Sequence, residues 1–388
     1  MVNKENQFRV IIIGGDHYNT YGVIRSLGKE GISCDVILLD CKIQDSFVLS
    51  SKYVYKGYGC TTHEEAISCL KNNYDNRYKN IILCCSDEAE ELVLNHYNEL
   101  ISLFSLPVCN EYKDTLCLMN KNVITDLAKE YGIRVPQTCQ VLNRQIPNGI
   151  KYPCITKPII STAGQKSDIV VCNDEDELRA IVEDQKRCAD YVVQDYIKFN
   201  KEVSILGAAL ANGEIVLSGC IDKLRTCMIG TTSFGVMVDN CLLGDNVVKL
   251  EAMIRSIGYK GLFSAEFLKR GDDFFFLEVN FRNDGNTYVA TSSGMNLPFL
   301  YVQSIIDPKN VLKKSNPIYP CYFMLDIEDF ITRRRNQVSF RRWLADCKQA
   351  NSFLVFNKED RKPFYRKIVK LVSYSLRRRI GKLKNNTK

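Results

Sequence analysis

FFFLEVNFRNDG, residues 274–285, decides how this chain reads. Side chains of a strand point alternately to its two faces. On that alternation Phe275, Leu277, Val279 and Phe281 share a core face, and Phe274, Phe276, Glu278, Asn280 and Arg282 share the other. The second face turns polar only where the strand ends, and a half-buried carboxylate needs a partner. The run before it, LFSAEFLKR (262–270), is a second β-rich stretch, and Gly271-Asp272-Asp273 between them reads as a three-residue hairpin loop. With Arg270 opposite Phe274, opposed residue numbers add to 544 along the ladder, so Glu266 faces Glu278. Like charges directly opposite destabilise a sheet. Two carboxylates so placed invite a divalent cation, with the Asn280 oxygen as a further ligand, and an all-oxygen set suits magnesium. The same residues also fit a surface hairpin with scattered acids.

At 388 residues the chain has room for two or three domains. Hydrophobic residues make up 45% and charged residues 25%, as in a soluble globular protein. No apolar run is long enough to span a bilayer. The N-terminal FRVIII (8–13) runs directly into Gly-Gly-Asp without a small-residue cleavage site, so it reads as a buried strand. The seventeen cysteines include no C-x-x-C spacing and sit partly in apolar strands, the pattern of free thiols in a reducing cytosol. With three histidines, structural zinc is not indicated. Net charge is +7, but Arg361 to Lys388 holds eleven Lys or Arg and no acid, which leaves the other 360 residues at −4. The basic character belongs to a tail and gives no argument for a nucleic-acid groove.

Strands FRVIII, CDVILLD (34–40) and NIILCCSD (80–87) alternate with helical patterns at 63–74 and 88–100. That order predicts an open parallel sheet with helices on its faces, binding ligands beyond its strand ends. Asp16, His17, Asn19, Ser86 and Asp87 lie there, as site residues or as ordinary turn and capping residues. G-x-G-x-x-G is absent, so a nicotinamide site is not supported. Residues 111–130 are helical and end at Gly132-Ile133-x-Val135-Pro136. YPCITKPI (152–159) sets Lys157 in an apolar strand before the loop STAGQKSD (161–168), and IVVC (169–172) returns. A strand lysine beside small loop residues suits phosphate, with loop amides closing over it; a snorkelling structural lysine fits too. YVVQDYI (191–197) is a strand with a hinge-like exit. KEVSILGAALANGEIVLSGCIDK (201–223) is a hairpin about Asn212-Gly213, with Glu202 at its start and Lys223 and Arg225 at its end. A helix at 244–259 precedes the opening hairpin, and 327–350 reads as one or two more helices. At the end, Val369, Val372, Leu376, Ile380 and Leu383 form an amphipathic stripe in a strongly basic helix. Such a helix lies on an anionic membrane or docks on the body with its basic face solvated.

Taken in order, these parts resemble the ATP-grasp superfamily of carboxylate–amine ligases, within it the group of D-aspartate ligases and carbamoyl-phosphate-synthase-like proteins. The resemblance runs from about Val10 to Ile306 and is carried most specifically by LEVNFRNDGNTYVATSSGMNLP (277–298), with GGDHYNTYG (14–22) adding to it. It implies an α/β chain with a pre-ATP-grasp domain at 1–110, an ATP-grasp domain at 111–312 with a mobile lid at about 138–195, and a helical basic extension at 313–388. It implies ATP and Mg2+, with Mn2+ as a substitute, and small-molecule carboxylate and amine substrates. Glu266, Glu278 and Asn280 match the metal ligands. Lys157 and Lys121 match the lysines on the ATP phosphates, and Ser161, Thr162 and Gly164 fall in the phosphate-covering loop. Gln194 stands where the family usually places a glutamate facing the adenine. Tyr196 and Ile197 match the hinge backbone, and Glu202 the ribose-binding acid. Lys223 and Arg225 match basic residues near the γ-phosphate, and Arg282 the arginine that steadies the phosphoryl group or tetrahedral adduct. The expected protein is a cytoplasmic ligase, peripheral on the inner face of the membrane if residues 361–388 bind anionic lipid. The rival expectations are a non-catalytic nucleotide-binding scaffold, or the same site with a non-carboxylate phosphoryl acceptor.

Overall fold

The computed structural model describes residues 8–159, 166–228, 231–311 and 316–385, with side chains to 373 in the last segment. The first sheet is parallel throughout, ordered β3-β2-β1-β4-β5. Its strands are β1 (Phe8–Gly14), β2 (Cys34–Leu39), β3 (Val54–Cys60), β4 (Lys79–Cys84) and β5 (Phe104–Ser105). β1 and β2 are buried nearly end to end, as their continuous apolar runs require of strands covered on both faces. Helices α1 (Tyr18–Lys29), α2 (His63–Asn73), α3 (Asp87–Asn95) and α4 (Tyr97–Leu100) follow strands of this sheet. The helical stretch expected at 88–100 breaks at His96, which ends one helix and starts the next. Side-chain caps start α1 to α3: His17, Thr62 and Ser86 each accept from a backbone N–H of the first turn.

Two short helices, α5 (Tyr112–Leu118) and α6 (Lys121–Glu130), lead to a four-stranded antiparallel sheet ordered β6-β9-β7-β8. It comprises β6 (Thr138–Val141), β7 (Cys154–Pro158), β8 (Val170–Cys172) and β9 (Tyr191–Asp195), with α7 (Glu175–Glu183) packed on it through Leu178 and Val182. These elements fill the 138–195 stretch expected to form a lid.

The largest sheet is ordered β14-β13-β10-β11-β12-β15-β16 and is antiparallel except for its last pair. Its strands are β10 (Lys201–Ala209), β11 (Ile215–Met228), β12 (Thr231–Val238), β13 (Gly261–Arg270), β14 (Asp273–Asn280), β15 (Cys321–Met324) and β16 (Ser352–Phe353). Helix α8 (Asn246–Ser256) covers one face with α6, burying Val203, Ile205, Phe263 and Phe267. Helices α9 (Thr287–Ser293) and α10 (Leu297–Ile306) cover the other and join it to the first sheet through one apolar core. Helices α11 (Asp326–Thr332), α12 (Phe340–Gln349) and α13 (Lys362–Asn385) close the chain.

The β13–β14 hairpin corrects the expected turn and faces. Arg270 pairs with Asp273, so Gly271-Asp272 form a two-residue turn, with Gly271 at φ +61° where only glycine sits without strain. Phe267 pairs with Phe276, yet Glu266 pairs with Glu278, so Leu277 is an extra residue in a β-bulge. The tighter turn and the bulge cancel, and the two glutamates still stand opposite each other. The faces do not survive. Phe274 and Phe276 join Val279 and Phe281 in the core under α6 and α8, whereas Phe275 and Leu277 cluster with Ile197 and Leu268.

The C-terminal segment is tied to the first sheet. Arg25 on α1 is fully buried, stacks 3.3 Å from the Tyr288 ring centroid and donates to the Phe353 carbonyl at 3.0 Å. The Asp360 carboxylate accepts from Ser51 Oγ at 2.5 Å and Tyr21 Oη at 3.3 Å, and Lys370 of α13 pairs with Asp16 at 2.8 Å. Phe364, Ile368 and Leu371 pack against the core, so the first turns of α13 dock on the body.

Candidate active site

The site forms where the polar face of the largest sheet meets the four-stranded sheet and the N-terminus of α6. Glu266 of β13 lies between Ser204 of β10 and Glu278 of β14 in register, and Ser264 pairs with Asn280 one step along. Strand pairing therefore puts two carboxylates and an amide on one patch. The Ser204 and Ser264 hydroxyls beside them are buried, with no hydrogen-bond partner among the described residues.

Lysines from three elements converge on these acids. Lys121, the first residue of α6, reaches Glu278 at 3.3 Å. Asn120 caps that helix, and the Lys121 amide donates to the Ile159 carbonyl at 3.3 Å, which fixes α6 to the end of β7. Lys223 of β11 lies 3.0 Å from Glu202 and 3.6 Å from Glu266 and is nearly buried. Lys157 of β7 donates to Gln194 Oε1 at 2.9 Å, and Gln194 Nε2 donates in turn to Thr138 at 3.1 Å. Gln194 is 2% exposed, so its amide orients Lys157 from inside the sheet. The Tyr196 amide donates to the Pro153 carbonyl at 3.0 Å. Ile197 closes a small apolar patch with Leu268, Phe275 and Leu277 on the same sheet face as the acids.

Burial pushes Glu266 up to about 7, with Glu278 adding to the rise and Lys223 opposing it. Burial pushes Glu278 the same way, but Lys121 and Lys157 outweigh it and hold that carboxyl at about 2. Burial lowers Lys157, whereas Lys223 rises despite its burial because Glu266 and Glu202 flank it. Arg282, just past β14, pairs with Asp87 at the start of α3 at 2.6 Å and donates to Asn280 Oδ1 at 3.3 Å. It thus links the strand ends of the first sheet to the acidic patch.

One predicted residue stands elsewhere. Arg225 is two positions from Lys223, but the β11–β12 pairing shifts register on both sides of it. Its guanidinium meets Asp329 of α11 at 2.8 Å and Asp346 of α12 at 2.6 Å, both fully buried. It is a tie to the C-terminal helices and not a phosphate ligand. Ser161, Thr162 and Gly164 lie outside the described residues. Leu268 and Leu277 escaped the sequence reading, since only the bulge brings Leu277 to that patch.

The residues fit a divalent cation and a triphosphate. The donors are all oxygen, the two acids repel unless a cation lies between them, and the surrounding lysines match phosphate charge. No cluster of three or more His, Cys, Asp or Glu poised for a metal occurs among the described residues, so a cation here relies on two acids and neutral oxygens.

Such a patch, where two antiparallel sheets meet, has the charge pattern that a phosphate ligand and its cation require. Residues 126–296, which follow the parallel sheet in the chain, match the ATP-grasp domain family. A D-aspartate ligase from Enterococcus faecium is 23% identical over 326 residues, spanning 76% of this chain and 77% of that protein. Among solved structures, an N5-carboxyaminoimidazole ribonucleotide synthetase in complex with ADP superposes with a TM-score of 0.64 at 13% identity, covering 83% of this chain and 82% of that one. An L-amino acid ligase from Bacillus licheniformis gives 0.60 at 14% identity, covering 79% and 75%. The chain shares its fold with these two solved structures.

Proposed function

We propose that this protein is an ATP- and Mg2+-dependent ligase that activates a small-molecule carboxylate as its acyl phosphate and joins it to an amine. The observation that carries the proposal is the facing pair Glu266 and Glu278 with Asn280 beside it, ringed by Lys121, Lys157 and Lys223. Glu266, Glu278 and Asn280 hold Mg2+, which supplies charge neutralisation on the phosphate oxygens. Lys121 and Lys157 bind phosphate oxygens, and Gln194 keeps Lys157 aimed. Ile197, Leu268, Phe275 and Leu277 offer an apolar bed for the base, the backbone at Tyr196 and Ile197 its polar edge, and Glu202 the ribose contact.

A carboxylate is a poor acyl donor because oxide would have to leave. Its oxygen attacks the γ-phosphorus, ADP departs, and the acyl phosphate forms. The amine then adds to the carbonyl carbon, phosphate leaves with the former carboxylate oxygen, and the nitrogen gives up a proton. Arg282 and Lys223 stabilise negative charge on the transferred group and on the tetrahedral adduct by fixed position. No protein nucleophile is required.

The proposal assigns 1–110 to the pre-ATP-grasp domain, 111–312 to the ATP-grasp domain with 138–195 as its lid and 161–164 as the phosphate-covering loop, and 313–388 to the extension. It also brings residues 361–388 to an anionic membrane surface. The full-length protein, mixed with ATP, Mg2+ and a panel of carboxylates and amines, should release ADP and phosphate only with the right pair. ATP binding without turnover for every pair would favour the scaffold reading. An acyl hydroxamate formed on adding hydroxylamine would exclude a non-carboxylate acceptor.

A further inference from the structure

Between α11, α12 and the first turns of α13 runs an apolar groove of about 650 Å³. Phe330, Ile331, Trp343, Phe356, Leu371 and Val372 are among its walls. Its rim is open: Phe330 is 41% exposed, Ile331 57% and Val372 53%, an apolar patch of the kind that marks an interaction surface. Asp326 also lines the groove, its carboxylate accepting from the Val355 and Phe356 amides, and the other acids of α11 and α12 are paired. Asp329 and Asp346 are consumed by Arg225, and Glu328 pairs with Lys367. The outward charge is positive: Arg334, Arg335, Arg341, Arg361, Lys362 and Arg366 are all exposed around these helices. No helix among the described residues is long and apolar enough to cross a membrane.

We propose that this groove admits an apolar chain of an anionic bilayer lipid while the surrounding arginines and lysines engage the headgroups. It rests on the membrane contact proposed for 361–388 and adds the place where a lipid tail enters. Charge complementarity selects the occupant. A second copy of this chain would bring like-charged rims together, whereas an anionic surface neutralises them. One inserted chain or one basic patch alone holds a protein to a membrane only weakly, and the two together suffice.

Trp343 is the only tryptophan in the chain and lines the groove, so it reports occupancy. Full-length protein is mixed with phosphatidylglycerol vesicles whose acyl chains are brominated, with phosphatidylcholine vesicles brominated in the same way, and with unbrominated controls. Bromine quenches indole only at short range. The expected result is quenching of Trp343 by the brominated anionic vesicles, none by the neutral ones, and loss of quenching at about 0.5 M salt. Ile331→Asp, a change at an exposed rim position, should abolish quenching and weaken sedimentation with vesicles while circular dichroism is unchanged. Sedimentation with anionic vesicles but no bromine quenching would overturn the groove and leave the surface contact standing. Failure to sediment would remove both. A shift in Trp343 emission with protein concentration alone, without lipid, would assign the groove to a second copy and overturn the proposal.

Discussion

Glu266 and Glu278 face each other at one ladder position, yet their neighbours pull them apart. Burial raises Glu266 to about 7, while Lys121 and Lys157 overcome burial at Glu278 and hold it near 2. On the proposed assignment both would be ionised to hold a cation, so metal affinity should rise as pH rises toward 7, with release of a proton from Glu266, and isothermal titration of Mg2+ across pH checks it. Glu278→Gln keeps the shape but removes the charge that both lysines face. It should cut ADP release about a hundredfold to a thousandfold with circular dichroism unchanged. The facing pair was legible in the sequence because a hairpin's opposed numbers have a constant sum. The side-chain faces were not. The bulge at Leu277 reverses the alternation, and nothing in a run of three phenylalanines marks where an extra residue will sit.

Strands and helices set which charges meet. Register shifts around Arg225 turn it out of the site and into the carboxylates of Asp329 and Asp346. Spacing alone made it the twin of Lys223, and sequence cannot show such shifts. Arg225→Ala should leave two buried acids short of their partner and cost about 3–5 kcal/mol in urea unfolding. Lys223→Ala should instead depress turnover at saturating ATP with a smaller loss of stability. At the head of α11, burial pushes Asp326 from 3.8 to about 6, opposed by the Phe356 amide it accepts from at 2.8 Å. A carboxyl whose folded pKa is raised favours the native state while protonated. Its contribution therefore falls as pH rises from about 4 to about 6, by up to about 3 kcal/mol. Asp326→Asn should flatten that slope in stability measured across pH, although the lost acceptor lowers stability overall. β3 (Val54–Cys60) went unread because its alternating tyrosines, lysine and glycines give no apolar run. The buried β1, β2 and β4 could be read because their runs are continuous.

For the whole molecule, the C-terminal helices are joined to the body by Arg25, Asp360, Lys370 and Arg225, so the extension is part of the fold. Removing residues 361–388 would strip Phe364, Ile368 and Leu371 from the core. Truncation after 373 keeps that packing and removes six Lys or Arg. It should weaken sedimentation with anionic vesicles while circular dichroism and thermal unfolding stay close to those of the full chain; unchanged sedimentation would take the tail out of the contact. The amphipathic spacing and charge of this tail were visible in the sequence. Its docking was not, because Asp16 and Asp360 are distant in sequence from the residues they hold.

If the lysine-ringed acid pair supports formation of an acyl phosphate, the phosphate released carries away one oxygen of the carboxylate. Once the panel has identified a carboxylate, that substrate is prepared with oxygen-18 in its carboxyl group and turned over with ATP, Mg2+ and the amine. Mass spectrometry of the released phosphate then gives the test. One labelled oxygen per phosphate is expected, and phosphate free of label at full turnover would rule out an acyl phosphate.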